Sequence, residues 1–130
     1  MDRSVAAVSD TTLVAIVDDD PRIQDLLGAE LADLNQKHCA YSTAEELLAE
    51  LDVRQPQLIF LDVLMPGMGG MACLQELRKR GYTGSVVMFT ALNDAHLQAQ
   101  AKEAGATDWV LKASLFDNVE HLINSYLDAN

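Results

Sequence analysis

Leu58-Ile59-Phe60-Leu61-Asp62-Val63-Leu64-Met65-Pro66-Gly67-Met68-Gly69-Gly70 is the stretch from which the rest of the chain can be read. Four bulky apolar residues in a row, bounded by turn formers, read as a strand buried on both faces, as in the interior of a parallel sheet. The run stops at one carboxylate, Asp62. Pro66, Gly67, Gly69 and Gly70 then make a loop. Met71, Leu74 and Leu77 follow at helical spacing, with Gly81 as a natural C-terminal stop. An Asp at the C-terminal end of a buried strand, under a glycine-rich loop, sits where open α/β sheets place their chemistry.

The same unit recurs on both sides of this stretch. Leu13 to Val17 is an unbroken apolar run, followed by Asp18, Asp19, Asp20 and Pro21. Asp20 suits a helix N-cap and Pro21 the first helical position. In the helix that follows, Leu26, Leu27 and Leu31 are expected to face inward. Ile23, on the first turn, is expected to be partly exposed. Lys37 to Tyr41 reads as a short strand. Ser42-Thr43-Ala44-Glu45 is a capping-box signature opening a helix that carries Leu47, Leu48 and Leu51 and ends before Pro56. Ser85 to Phe89 is a strand with Thr90 at its end. Asn93 or Asp94 caps a helix with a thin apolar face of Ala95, Leu97, Ala101 and Ala104, expected to be the least firmly held. Thr107 to Leu111 is the fifth strand, with Lys112 at its end, and Ser114 is the expected cap of the last helix.

Five such units of fully buried strand and helix predict an α/β fold. It is a doubly wound five-stranded parallel sheet with five helices and right-handed crossovers. At 130 residues the chain is one domain, taken as 13–128 after a flexible leader, 1–12. Its 49% apolar and 22% charged residues are ordinary for a globular protein. A formal net charge of -11 argues against nucleic acid and against an anionic membrane surface as partners. The sequence has no long apolar run and no signal-peptide pattern, so a cytoplasmic location is expected. Cys39 and Cys73 read as small buried hydrophobes. His38, His96 and His121 lack metal-ligand spacing.

All strand C-termini of a parallel sheet lie along one edge. Asp18, Asp19, Asp62, Thr90 and Lys112 therefore converge from distant parts of the chain. Taken singly, Asp18 or Thr90 reads as an ordinary loop residue, and Asp20 reads as a helix cap. The coincidence of the whole set at successive strand ends reads as a site. Three packed carboxylates repel one another unless a cation joins them, and an all-oxygen site with few protein ligands suits Mg2+. With a lysine and a hydroxyl beside it, Asp62 is placed as a nucleophile toward a phosphoryl group.

The chain resembles the receiver domain of bacterial two-component response regulators from about Leu13 to Leu127. The matching pieces are Val17-Asp18-Asp19, Leu61-Asp62 with Met65-Pro66, Gly70, Phe89-Thr90-Ala91 and Lys112. The expected strand order is the flavodoxin-like 2-1-3-4-5. The resemblance implies that Asp62 is the phosphoacceptor, served by a histidine kinase or a histidine phosphotransfer protein. It implies a Mg2+ site made by Asp18, Asp19, Asp62 and the backbone carbonyl of Leu64, with Thr90 and Lys112 contacting the phosphoryl oxygens. Trp109 matches the aromatic switch position. In the family, Thr90's counterpart and the switch aromatic move together and reshape the face of the fourth helix, fifth strand and fifth helix for a downstream target protein. Ile23 is expected to touch the phosphodonor protein. The expected state is a monomer or a weak phosphorylation-dependent dimer. The end of the chain at the fifth helix suggests a single-domain regulator, or else a domain cut from a longer protein.

Two features depart from the family pattern. Ala113 stands where proline usually follows the lysine, so that peptide is either trans with a local rearrangement or cis at a cost. Leu64 and Leu92 are both apolar at the positions that border the path of an attacking water, which predicts slow loss of the phosphoryl group. The loop of Met65, Pro66 and Gly67 is expected to hold Asp62 open to a partner. Other readings fit less well. A phosphohydrolase of the haloacid-dehalogenase type resembles Asp-x-Asp, and here the second position is Leu64. A flavodoxin-like cofactor binder would set phosphate against three aspartates. A phosphorylation-independent docking module would have no use for the full acid set.

Overall fold

Leu58 to Asp62 form the central strand of the sheet, and every residue of that strand is buried. The structure, a computed structural model, describes residues 12–127. Residues 1–11 of the expected leader and residue 128 of the expected domain lie outside the described residues. The elements in chain order are β1 (Val14–Val17), α1 (Pro21–Asp33), β2 (His38–Tyr41), α2 (Ala44–Arg54), β3 (Leu58–Asp62), α3 (Gly70–Lys79), β4 (Ser85–Thr90), α4 (Ala95–Glu103), β5 (Asp108–Leu111) and α5 (Lys112–Tyr126). The five strands are parallel in the order β2-β1-β3-β4-β5, the flavodoxin-like order expected from the sequence.

Burial follows position in the sheet. β1 and β3 are buried throughout and β4 nearly so, because each has a strand on both sides and helices on both faces. The expectation of five fully buried strands fails at the edges. β2 and β5 each have one neighbouring strand and are largely half-buried. Alternate residues feed two cores. Ala15, Val17, Ile59, Leu61, Val86 and Met88 pack with α2 and α3 on one face. Val14, Ile16, Leu58, Phe60, Val87 and Phe89 pack with α1 and α5 on the other. Each Val, Leu, Ile, Phe or Met among these contributes roughly 1.5–3 kcal/mol by leaving water.

The helix caps mix local rules with tertiary context. Asp20 accepts from the Arg22 N–H and Pro21 opens α1, as its sequence requires. At α2 the cap is Thr43 and not Ser42. Thr43 Oγ1 accepts from Glu46 N–H, and Glu46 in turn accepts from Ser42 N–H. The capping box is therefore shifted by one residue, and Glu45 is left free for another contact. Asp94 caps α4, where only Ala101 is buried, consistent with its thin face. Leu26 is 55% exposed, against expectation, because α1 buries Leu27, Gly28 and Leu31, a stripe that leaves Leu26 on the solvent side.

The expected Ser114 cap of the last helix is also absent. α5 begins directly at Lys112 after Leu111, with no side-chain cap. No cis peptide bond occurs among the described residues, so the Lys112–Ala113 bond is trans and Lys112 sits on the first helical turn. Gly81 has a φ of 88°, a left-handed conformation that suits the end of α3. No helix among the described residues is long and apolar enough to cross a membrane.

Candidate functional site

β1 and β3 are adjacent in the sheet, with Val17 opposite Leu61. Asp18 and Asp62 are the next residues of each strand, so the pairing register alone brings them side by side. One ligand atom from each of Asp18, Asp19 and Asp62 lies within 4.8 Å of the other two. Asp18 and Asp62 are buried and Asp19 is exposed at the mouth. Gly70 closes the back of the loop. Its N–H donates to the Val63 carbonyl at 2.9 Å, and a Cβ there would collide with the Asp62 carbonyl. Only glycine lets α3 start this close to the strand end.

Lys112 reaches in from the start of α5. Its Nζ lies 3.0 Å from Asp18 Oδ2 and 3.4 Å from Asp62 Oδ2, and 5.4 Å from the centre of the Phe89 ring. Burial alone would lower the lysine's pKa. The hydrogen bond and charge of Asp18, with those of Asp62, outweigh burial and hold it above its usual value. Asp62 is raised as well, which for a carboxyl disfavours the charged form. Burial first, then the charge of Asp18, pushes it up to about 6, against the pull of Lys112 and the Leu64 N–H. The Asp62 side chain is only 3% exposed, so the expectation that its loop holds it open is not met. Lys112, itself 24% exposed, lies over it.

Asp18 Oδ2 is fully buried, and its close polar neighbour is the Lys112 ammonium at 3.0 Å. Three clustered carboxylates share this one ammonium, which leaves an excess of negative charge that a further cation would offset. The donor set is all oxygen, which suits a hard divalent ion. Asp18, Asp19 and Asp62 could hold one.

The remaining predicted residues lie around this centre. Thr90 is fully buried at the end of β4, one residue beyond Phe89, the register partner of Asp62. Its Oγ1 accepts from the Leu92 N–H at 3.0 Å. Leu64 is 58% exposed, and its N–H donates to Asp62 Oδ1 at 3.4 Å. Leu92 is half-buried. Trp109 is apart from the carboxylates. It packs half-buried against the core on the α2–α3 face and lines a cavity of about 260 Å³ with Gln98, Ala101 and Lys102. Ile23 is half-buried against the α1–α5 core, with exposed Leu26 on the same helix.

One side chain the sequence reading passed over also reaches this region. Gln24 Nε2 donates to the Asp18 carbonyl at 2.7 Å and lies 3.3 Å from the Tyr41 carbonyl and 3.2 Å from Ser42 Oγ. Nothing in the sequence signals this, since it depends on the β2–α2 turn coming to rest beside the end of β1.

Residues 14–124 match the family described as "Response regulator receiver domain". A probable transcriptional regulator of Cyanophora paradoxa is 32% identical over 88% of this chain, which covers 47% of that protein. The DNA-binding transcriptional regulator NtrC of Salmonella typhimurium is 31% identical over 88% of this chain, which covers 25% of that protein. The chain thus spans about half or less of these relatives. Among solved structures, the receiver domain of NtrX from Brucella abortus superposes with a TM-score of 0.82 at 28% identity, covering 90% of this chain and 99% of that one.

Proposed function

The chain belongs to the response regulator receiver domain family, and on that premise we propose that it stores a phosphoryl group on Asp62. The donor is a phosphohistidine on a histidine kinase or a phosphotransfer protein. One Asp62 carboxylate oxygen attacks phosphorus in line, the N–P bond breaks, and its electron pair returns to the donor imidazole. The product is an acyl phosphate. The single observation that carries this reading is the arrangement of Asp62, held 3.4 Å from the Lys112 ammonium and clustered with Asp18 and Asp19.

The roles divide among the chain's own groups. Asp18, Asp19, Asp62 and the Leu64 carbonyl would hold Mg2+, which supplies charge neutralisation at the phosphoryl oxygens. Lys112 pairs with the carboxylates before transfer and with a phosphoryl oxygen after it. The Thr90 hydroxyl gives up its turn contact to donate to another phosphoryl oxygen. Trp109 follows Thr90 because Met88 and Thr90 share a sheet face with it, and the cavity beside Trp109 leaves room for movement. The altered α4–β5–α5 surface is what a downstream protein reads. The net charge of -11 supports a protein partner over nucleic acid for this domain. Ile23, with Leu26 beside it, offers an apolar contact for the donor. Leu64 and Leu92 carry no group that could orient a water, so the acyl phosphate is long-lived.

Intact mass after incubation with acetyl phosphate and MgCl2 tests the central point. The parent gains one phosphate and Asp62→Ala gains none. Equal labelling of both, or labelling of neither, would refute it.

A further inference from the structure

We propose that Gln24, which is not among the candidate ligands, is a positioning residue that sets how tightly the acid cluster holds a divalent cation. The proposal rests on the reading of Asp18, Asp19 and Asp62 as a cation site. It concerns a residue whose side chain touches none of those three carboxylates.

The argument starts with the hydrogen bonds of one amide. Gln24 lies on the first turns of α1, half-buried. Its terminal nitrogen faces three acceptors: the Asp18 carbonyl at 2.7 Å, Ser42 Oγ at 3.2 Å and the Tyr41 carbonyl at 3.3 Å. Three oxygens around one end of an amide require the NH2 there, so the orientation of Gln24 is fixed by its surroundings. The shortest bond goes to the carbonyl of the peptide that joins Asp18 to Asp19. Rotation of that peptide would swing the Asp19 carboxylate away from Asp18 and Asp62.

Other contacts hold the peptides on either side of it. The Asp18 N–H donates to the Tyr41 carbonyl at 3.1 Å, and Asp18 Oδ1 accepts from the Asp20 N–H at 2.9 Å. Ser42, whose hydroxyl meets Gln24, is itself held by Glu46 through its N–H at 2.9 Å. The β2–α2 turn supplies no carboxylate to the cluster. Through Gln24 it nevertheless fixes the backbone that carries two of the three.

The acids repel one another, so without this brace the apo loop relaxes toward wider spacing. A cation must then draw the carboxylates back together, and its affinity falls. Groups that orient metal ligands typically change affinity by 10–100-fold when removed. Gln24 acts through a backbone carbonyl, so the lower end of that range applies, roughly tenfold.

The test is calorimetric titration with MgCl2 of the full chain, without phosphodonor, alongside thermal unfolding in EDTA. Gln24→Ala is expected to raise the Mg2+ dissociation constant about tenfold. Gln24→Glu sets a carboxylate oxygen against three oxygen acceptors and is expected to raise it at least as much. Gln24→Arg keeps N–H donors within reach and is expected to stay within about twofold of the parent. If Gln24→Ala does not fold, the Glu and Arg variants carry the comparison. A brace that is only structural would lower the unfolding temperature in EDTA and leave the dissociation constant unchanged, and that result overturns the proposal. Equal weakening by the Arg and Glu variants overturns it as well. A parent that takes up no Mg2+ overturns the cation site itself, and this inference with it.

Discussion

Replacing Asp62 by Asn should make the metal-free protein more stable. Asn keeps the shape of the side chain and removes one of two buried charges that face each other. The carboxyl of Asp62 is pushed up from an ordinary 3.8 to about 6 by burial and by Asp18, even with Lys112 at 3.4 Å. A rise of that size corresponds to about 3 kcal/mol of cost to the folded state at neutral pH. Water that enters the mouth beside Asp19 lowers this, so a gain of about 2 kcal/mol is the working figure. For a domain of this size that is a rise in Tm of roughly 5–10 °C.

The sign of the pH dependence follows from the direction of the shift. A carboxyl with a folded pKa above its unfolded value penalises folding where it is ionised in both states. The penalty is complete above about pH 6 and vanishes as pH falls toward about 4. The advantage of Asp62→Asn should therefore be full at pH 7.5 in EDTA and small at pH 4.5. MgCl2 should narrow the gap at pH 7.5, because a cation that binds the folded parent stabilises it by mass action. Thermal unfolding followed by circular dichroism reads all three conditions. An Asn variant no more stable than the parent in EDTA at pH 7.5, or one whose advantage grows on acidification, refutes the reasoning.

Other perturbations test other parts of the structure. The double variant Leu64→Asn, Leu92→Glu should release phosphate from the acyl phosphate about tenfold faster than the parent, since a group that positions the attacking water contributes on that scale or more. An unchanged or slower release would sink the idea that the two leucines preserve it. Ile23→Lys should slow transfer from the cognate phosphohistidine donor about tenfold, the effect expected of one good interface anchor, and an unaltered transfer rate would remove Ile23 from the docking surface. Arg78 donates to the Tyr82, Gly84 and Gly105 carbonyls at 2.7–3.0 Å and lies 5.7 Å from the Tyr82 ring centre. Arg78→Met should cost about 2–4 kcal/mol in urea unfolding, because several carbonyls lose their partner together. A loss below about 1 kcal/mol would mean that water replaces the guanidinium. The buried Cys73 thiol is pushed up to about 12, mainly by desolvation, so iodoacetamide at pH 8 should alkylate it only after denaturant is added.

Much of this protein was legible in the sequence because the decisive signals are local. Continuous apolar runs at residues 13–17, 58–61 and 85–89 mark strands buried on both faces, and a parallel sheet is the arrangement that buries them. Asp20 with Pro21, and Asp94, announce helix starts through groups only two or three residues away. Because parallel strands end along one edge, the clustering of Asp18, Asp62 and Lys112 follows from topology alone. The departures occur where two loops or layers meet. Leu26 fits a helical apolar pattern, yet the direction in which α1 faces the sheet leaves it in solvent. Ser42 and Thr43 are equally good caps by chemistry, and the choice is settled by the turn that also hands Ser42 to Gln24. The start of α5 at Lys112, the near-complete cover over Asp62 and the three acceptors around Gln24 depend on distances between segments far apart in the chain. Periodicity and capping are properties of a few neighbouring residues. Side-chain reach across a sheet edge depends on how whole elements pack, and for that the tertiary structure was needed.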